Sequence, residues 1–272
     1  MNGIGWRARC VGLTIATLVF SVLMWGGAHA QGRGAAAGAT APTPRMAAPI
    51  DLTGYWVAII SEDWRWRMVT PAKGDYASIP LTVEGKRIAD TWDPAKDEAA
   101  NEQCRAYGAP GLMRGPTRLH ITWSDDETLK LEADYGTQTR LLQFRGRPAT
   151  GQPTLQGVTT AQWVMGGGAR GQGGGGVQAA AGPPPLRFGT LKTVTTRLRP
   201  GYLRKNGVPY SGNAVFTEYW AVHTEVNGDQ WLVVTNVVDD PTNLQLPWVT
   251  AIHFKKERDG AKWDPTPCSA RF

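Results

Sequence analysis

The chain has few of the residues from which metal sites and nucleophile sites are usually built. Its 272 residues include three cysteines and four histidines. No HxH, HExxH, CxxC or GxSxG motif connects any of them, and Ser211 lacks the strand-turn-helix setting of a serine nucleophile. These absences argue against zinc, dithiol and serine-nucleophile chemistry, and we predict no metal and no cofactor.

The chain also lacks a basic tract and a second long apolar segment. Its formal net charge is +6, but the lysines and arginines are scattered among acids, which is typical of a solvated surface. We therefore predict no nucleic-acid partner. Because only one apolar run occurs, near the start, we predict no integral membrane segment once that run is removed.

That run has the features of a secretory signal peptide. Arg7 and Arg9 precede the apolar stretch Val11 to Trp25, and the small-x-small pattern Ala28-His29-Ala30 follows. We predict cleavage of residues 1–30, with a retained anchor as the alternative, and a periplasmic or secreted protein. Cleavage removes two arginines and no acids, so the charge of +6 falls to +4.

Two cysteines remain after cleavage, Cys104 and Cys268. An even pair in an oxidising compartment usually forms one disulfide. It would close a loop of about 165 residues and stabilise the fold by roughly 4 to 5 kcal/mol in the chain-entropy description. A redox or metal pair is the alternative, but neither cysteine has a CxxC neighbour or a nearby histidine.

Composition divides the remaining chain into a leader and a domain that contains one insert. Residues 31–48 are rich in Ala, Gly and Pro and are predicted to be a disordered leader. Residues 49–272 are predicted to form a single domain. Within it, residues 165–186 are a Gly-rich insert interpreted as an external loop, because the Lys-Ser/Thr pair and the following helix of a phosphate-binding loop are missing.

Alternation of apolar and polar residues predicts strands through most of this domain. Leu119, Ile121 and Trp123 alternate with polar residues, and a turn at Asp125-Asp126 leads to a second alternating strand. The one helical candidate is Leu81 to Asp97. Short strands at near-regular spacing predict an all-β, mostly antiparallel β-barrel, lipocalin-like, with a β-sandwich as the alternative. The other predicted strands are Leu52–Ile60, Thr137–Phe144, Gly157–Val164, Gly189–Leu198, Ala214–Thr224, Gln230–Val238 and Trp248–Lys255.

The most unusual segment follows the first predicted strand, where Asp63 precedes alternating tryptophan and arginine, Trp64 to Arg67. If this segment is extended, its indoles lie on one face and its guanidinium groups on the other. Inward tryptophans would build an aromatic wall, and inward arginines would bind an anion. The alternative is an ordinary core face with arginines paired at the surface. The candidate ligand-binding residues here are Asp63, Trp64, Arg65, Trp66 and Arg67.

Histidines and one carboxylate are candidates for proton transfer. Glu218 lies between Phe216 and Trp220 on one face of a predicted strand, which favours an inward position. His120 and His223 could act with it as general acid or base. Tyr219 and His253 are added as ligand-binding candidates. A zinc site shared by the three histidines after cleavage is the weaker alternative, and Asp239-Asp240-Pro241 is interpreted as a turn.

Short motifs resemble an uncharacterised group of exported bacterial proteins. The group begins its folded part with D-L-[ST]-G-x-W, as at Asp51 to Trp56, and continues with a cysteine segment similar to Cys104–Pro110. An acid-Asp-Pro step and a Pro-Trp near the end, here Asp239–Pro241 and Pro247-Trp248, extend the resemblance to about residues 50–272. More distantly, Gly54-Tyr55-Trp56 resembles the G-x-W of lipocalins and other calycins, in which the tryptophan closes one end of a barrel.

Together these features predict an exported protein that binds a small molecule. We expect a Trp/Arg-lined cavity for an aromatic or apolar ligand, with Arg65 or Arg67 available for an anionic group. The alternative is a periplasmic lyase, isomerase or hydrolase that uses His120, Glu218 or His223 in the same cavity. Nothing in the sequence indicates an oligomeric state.

Overall fold

A computed structural model describes residues 41–145, 152–166 and 188–271 of the chain. The predicted signal peptide, residues 31–40 of the predicted leader and residues 167–187 of the Gly-rich region lie outside the described residues. From Pro42 onward the described residues belong to one compact unit.

The described residues contribute eleven strands, and nine of them close into a barrel. The barrel predicted from the sequence is therefore confirmed, and the sandwich alternative is wrong. The strands coincide closely with the alternating segments of the sequence, except for a short hairpin outside the barrel that alternation did not predict. In chain order they are β1 Gly54–Ile59, β2 Arg118–Asp125, β3 Thr128–Ala133, β4 Gln138–Gln143, β5 Val158–Gly166, β6 Phe188–Thr196, the hairpin β7 Gly201–Arg204 and β8 Val208–Tyr210, then β9 Val215–Thr224, β10 Gln230–Asp239 and β11 Trp248–Glu257.

Neighbouring strands of the barrel follow the order β1-β11-β10-β9-β6-β5-β4-β3-β2, and β2 pairs again with β1. Because nine is an odd number, up-down alternation cannot continue around a closed ring, and one neighbouring pair must be parallel. That pair is β4 with β5, which meet through Leu142 opposite Thr159 and Gln143 opposite Thr160. All the other neighbouring strands are antiparallel.

Alternation along each strand divides inward from outward side chains. Leu119 and Ile121 of β2 are buried in the barrel, whereas His120 between them points outward. Trp56 on β1 is fully buried and donates its indole N–H to the carbonyl of Leu52 at 2.9 Å. Burying such side chains is the main driving force for closing the barrel.

Short helices and the β7–β8 hairpin cover one end of the barrel. The helices are α1 Trp64–Arg67, α2 Val83–Ala89, α3 Pro94–Ala99 and α4 Ala109–Leu112, with a 3-10 helix at Gln103–Tyr107. The helical candidate around residues 81–97 thus corresponds to α2 and the start of α3. Thr82 caps α2, because its hydroxyl accepts the amide hydrogen of Gly85 at 2.9 Å.

A disulfide and two hydrogen bonds attach the described segments before β1 and after β11 to the rest of this unit. Cys104 and Cys268 form the predicted disulfide, 164 residues apart in sequence. The end of the predicted leader contacts the barrel: Trp163 donates its indole N–H to the carbonyl of Pro44 at 2.8 Å, and the amide of Arg45 donates to Asp126. No helix among the described residues is long and apolar enough to cross a membrane.

Candidate functional site

The Trp/Arg segment lies at the covered end of the barrel. It follows β1, and the last residues of β1 pair with the first residues of β2, as in Val57 opposite Arg118. The first half of β11 adjoins the same end, since Ile59 lies opposite His253. Side chains from α1, α4 and the β7–β8 hairpin therefore meet beyond these strand ends rather than inside the barrel.

The segment is helical rather than extended, so its side chains do not divide into an indole face and a guanidinium face. Asp63 precedes α1 in a left-handed conformation, with φ of 53°. Asp tolerates this conformation better than most residues do. One helical turn then buries Arg67, which is 2% exposed, and leaves Trp64 63% exposed. Of the two candidate anion-binding arginines, only Arg67 enters the protein.

Two further arginines, distant in sequence, lie beside Arg67. Arg67 donates its Nε–H to the carbonyl of Arg114 at 2.7 Å and also contacts Glu62. Arg114 in turn donates to the carboxylate of Asp63 at 3.0 Å. Arg204, at the end of β7, is 3% exposed, so three guanidinium groups are buried in one region.

Aromatic rings and turn atoms hold two of these guanidinium groups in place. Arg204 donates to the carbonyl of Ala77 at 2.8 Å and to the hydroxyl of Ser78 at 2.9 Å. Its guanidinium carbon lies 4.8 Å from the ring centroid of Trp66, and that of Arg114 lies 4.7 Å from the centroid of Trp248. The indoles therefore orient cations by stacking instead of forming a free aromatic wall.

Each of the three buried guanidinium groups keeps one nitrogen without a partner. The unpartnered atoms are Nη2 of Arg67, Nη1 of Arg114 and Nε of Arg204. An unsatisfied buried N–H normally costs about 1 to 3 kcal/mol, and more for a charged group. All three nitrogens are buried, so each carries this desolvation cost in the structure.

A fourth cation, Lys205, completes the wall. Lys205 is half-buried at the turn between β7 and β8, and its Nζ lies 4.9 Å from the ring centroid of Tyr135. The turn requires Gly207, which has φ of 82° and places Trp92 2.2 Å from where a Cβ would lie. Asn206 fixes the turn further by donating to the carbonyl of Ala72 at 3.0 Å.

These groups surround one pocket with about 310 Å³ of empty space, including its open mouth. The part of this space that a water-sized group can enter is about 20 Å³, which is below the usual range for ligand sites, so a ligand bound here must be small. Glu62 pairs with Arg67 and Asp63 pairs with Arg114. The described residues that line the pocket include four cationic side chains and no carboxylate, so the wall itself is positively charged. The lining residues are Trp66, Arg67, Ala106, Gly111, Arg114, Gly115, Tyr135, Leu203, Arg204 and Lys205.

Burial and mutual repulsion shift the pKa values of these cations. Burial, and then the charge of Arg114, lower the pKa of both Arg67 and Arg204, while Asp63 and Asp75 raise that of Arg204. Burial also lowers the pKa of Arg114, against the opposing effect of Asp63. Burial lowers the pKa of Lys205 to about 8. All four shifts disfavour the charged forms, which an anion in the pocket would stabilise.

A separate polar group is enclosed within the barrel itself. Arg140 on β4 donates to both carboxylate oxygens of Glu218 on β9, at 2.9 and 2.6 Å, and both residues are almost completely buried. Thr193 donates to Glu218 at 2.8 Å, and Arg140 also reaches Thr195 at 3.3 Å. The inward position predicted for Glu218 is observed, but a guanidinium group already occupies both of its oxygens.

The predicted proton-transfer residues do not meet. His120 points outward from β2, stacks on Tyr55 with ring centroids 4.2 Å apart, and contacts Glu132 at 3.3 Å. His223 is exposed near the end of β9. Glu218 faces the interior, so the barrel wall separates it from both histidines. No group of three or more potential metal ligands occurs in the part of the chain that the structure describes.

The predicted ligand-binding residues separate into two groups. Trp66 and Arg67 line the pocket and Asp63 supports Arg114 beside it. The others lie outside: Trp64 is exposed, Arg65 pairs with Asp75 at 2.9 Å, Tyr219 is 40% exposed, and His253 contacts Glu62 at 2.9 Å on the outer face of β11.

Sequence reasoning missed Arg114, Tyr135, Arg204 and Lys205. Arg204 and Lys205 occur in a short segment, Gly201 to Tyr210, whose strands are buried on both faces and show no alternation. Arg114 lies in a loop after α4. The dipeptide Arg204-Lys205, which together with Asn206 interrupts an otherwise apolar segment, was the one available signal.

Comparison with known proteins adds no relative: no family model, curated protein or solved structure matches the chain. The assignment of a function therefore depends on the geometry described above.

Proposed function

We propose that this protein is an exported binding protein whose ligand is a compact anion, held between Arg67, Arg114, Arg204 and Lys205 at the covered end of the barrel. The observation that carries the proposal is the set of three buried guanidinium groups with unpartnered nitrogens around one pocket. Planar guanidinium groups match the geometry of carboxylate and phosphate oxygens. An acceptor ligand would satisfy these donors and offset the excess positive charge.

The pocket favours an anionic head over a large aromatic ligand. Guanidinium groups already lie over Trp66, those of Arg65 at 5.4 Å and Arg204 at 4.8 Å, so its ring is not an empty stacking platform. The Trp/Arg cavity expected from the sequence is retained in this proposal, with the arginines contacting the ligand and the tryptophans supporting them.

Export belongs to the same proposal. The signal-peptide pattern of residues 1–30 and the Cys104–Cys268 disulfide both support a protein that works in the periplasm or after secretion. The resemblance to exported proteins that begin with D-L-[ST]-G-x-W supports the same location. We propose binding rather than acid-base catalysis, because His120, His223 and Glu218 lie on opposite faces of the barrel wall.

Titration of the purified protein with small anions tests the proposal. Isothermal calorimetry with phosphate, sulfate and short carboxylates, against chloride at matched ionic strength, should detect one site for at least one of these anions. Arg67→Gln should weaken binding on the order of ten- to a hundredfold, as expected for the loss of a charged hydrogen-bond donor.

Arg65→Gln provides a matched control, since Arg65 belongs to the same helix but has a side chain that is 67% exposed and pairs with Asp75. It should leave the affinity within about twofold of wild type. Equal losses in the two variants, or no binding by any anion of the panel, would refute the proposal. Thermal denaturation of both variants separates lost binding from lost folding.

A further inference from the structure

We propose that Lys205 is the reactive amine of this pocket and that the ligand class is a small 2-oxo acid. In this arrangement the carboxylate binds the guanidinium groups, and the carbonyl carbon next to it condenses with Nζ of Lys205. The inference rests on the proposed anion-binding function and extends it by naming the substrate class.

The geometry places an amine and carboxylate-binding groups in one small space. Lys205 follows Arg204 directly and lines the same pocket as Arg67 and Arg114. Because the cavity is small, about 20 Å³, the functional groups of a ligand must lie close together. A 2-oxo acid meets this condition because its carbonyl and carboxylate carbons are bonded to each other. The unpartnered guanidinium nitrogens fix the carboxylate end and leave the carbonyl for the amine.

The surroundings of Lys205 favour a neutral, nucleophilic amine. Burial lowers its pKa to about 8, so a substantial fraction is uncharged near neutral pH. On the pocket side it shares the lining with Tyr135 and with the three buried arginines. On its other side it borders a small recess with the charged residues Asp97, Glu102 and Arg105.

The chemistry needs no reagent beyond the amine and the oxo acid. The nitrogen lone pair forms a bond to the carbonyl carbon, and one proton passes from that nitrogen to the carbonyl oxygen to give a carbinolamine. The hydroxyl group then leaves as water with the second proton of the nitrogen, and the carbon-nitrogen double bond forms. The imine stays reversible, because water can add back and release the oxo acid unchanged.

Reductive trapping tests this inference on the intact protein. The protein is incubated with pyruvate and sodium cyanoborohydride near pH 7.5, digested, and analysed by mass spectrometry for N-carboxyethyl lysine. With a pKa of about 8 against the ordinary 10.5, Lys205 should be modified roughly a hundredfold faster than the exposed Lys73, Lys86 and Lys96 of the same molecule. Acetone, which has a carbonyl group but no carboxylate, gains from the lowered pKa alone and should therefore modify Lys205 with a smaller preference than pyruvate does.

Competition keeps the test independent of any variant that fails to fold. Lactate, which keeps the carboxylate but has a hydroxyl in place of the carbonyl, should suppress trapping of pyruvate at Lys205 without being trapped itself. Lys205→Arg should lose the adduct. If anions bind but pyruvate modifies Lys205 no faster than the exposed lysines, the imine inference is overturned and the binding function stands. If neither anion binding nor selective modification occurs, both fail.

Discussion

Replacing Glu218 by glutamine tests whether the ion pair inside the barrel stabilises the fold. The substitution keeps the shape of the side chain and removes its charge, which leaves Arg140 as an uncompensated buried cation. One oxygen of the bidentate contact, at 2.9 and 2.6 Å, becomes an NH₂ group that faces the N–H donors of Arg140 or the hydroxyl of Thr193.

Breaking a buried pair by removing one partner typically costs about 3 to 5 kcal/mol. At roughly 2 to 4 °C per kcal/mol for a domain of this size, the melting temperature of Glu218→Gln should fall by about 6 to 20 °C. Urea denaturation followed by circular dichroism measures the free energy of unfolding directly.

Glu84→Gln is the matched control, because Glu84 pairs with Arg87 on the exposed surface of α2. Its melting temperature should be indistinguishable from that of wild type, because an exposed ion pair contributes little to stability. Removing both buried charges, as in Arg140→Met with Glu218→Leu, should cost less than the sum of the two single changes. A Glu218→Gln protein as stable as the Glu84→Gln protein would refute the reasoning.

Three further predictions concern the disulfide, the pocket lysine and a helix cap. Cys104→Ser should lower the free energy of unfolding by roughly 4 to 5 kcal/mol in the chain-entropy description, and a reducing agent should then destabilise wild type but not the variant in urea titrations. Between pH 8 and 10.5 the unfolded chain holds a proton on Lys205 that the folded protein has released, so the free energy of unfolding should rise with pH in that window. Lys205→Met should flatten this rise. Equal slopes of the free energy of unfolding against pH for wild type and variant, measured by urea titration, would contradict the prediction. Thr82→Ala should lower the free energy of unfolding by about 1 kcal/mol, because the amide of Gly85 loses its acceptor. Thr82→Ser keeps the hydroxyl and should not have this effect in thermal denaturation.

The strands of the barrel could be predicted from sequence because each has one buried and one outward face. Alternation identified all nine within a few residues of their observed bounds. The β7–β8 hairpin could not be found in this way, since every residue of both strands is buried. The four residues of α1 are a single turn, too short for a helical period to be visible.

The candidate site was only half predictable for a related reason. Arg67 was identified within its own conspicuous segment, but Arg114 and Arg204 are separated from it by 47 and 137 positions and meet it only after the barrel closes. The periodicity of a short sequence segment carries no information about contacts between residues so far apart in the chain. The sequence also could not show which of Arg65 and Arg67 points into the protein. That depends on the single helical turn of α1, whereas the segment was considered as an extended strand.

The odd strand number gives the barrel one seam that differs from the rest. Among the described residues, two pairs join β4 to β5, whereas β9 and β10 are joined along their full length. The contact between Arg140 on β4 and Glu218 on β9 crosses the interior from one side of this seam to the other, past β5 and β6. This buried ion pair therefore connects the two sides of the barrel where the fewest backbone pairs join neighbouring strands. When the ion pair breaks, amide hydrogen exchange should begin along β4 and β5.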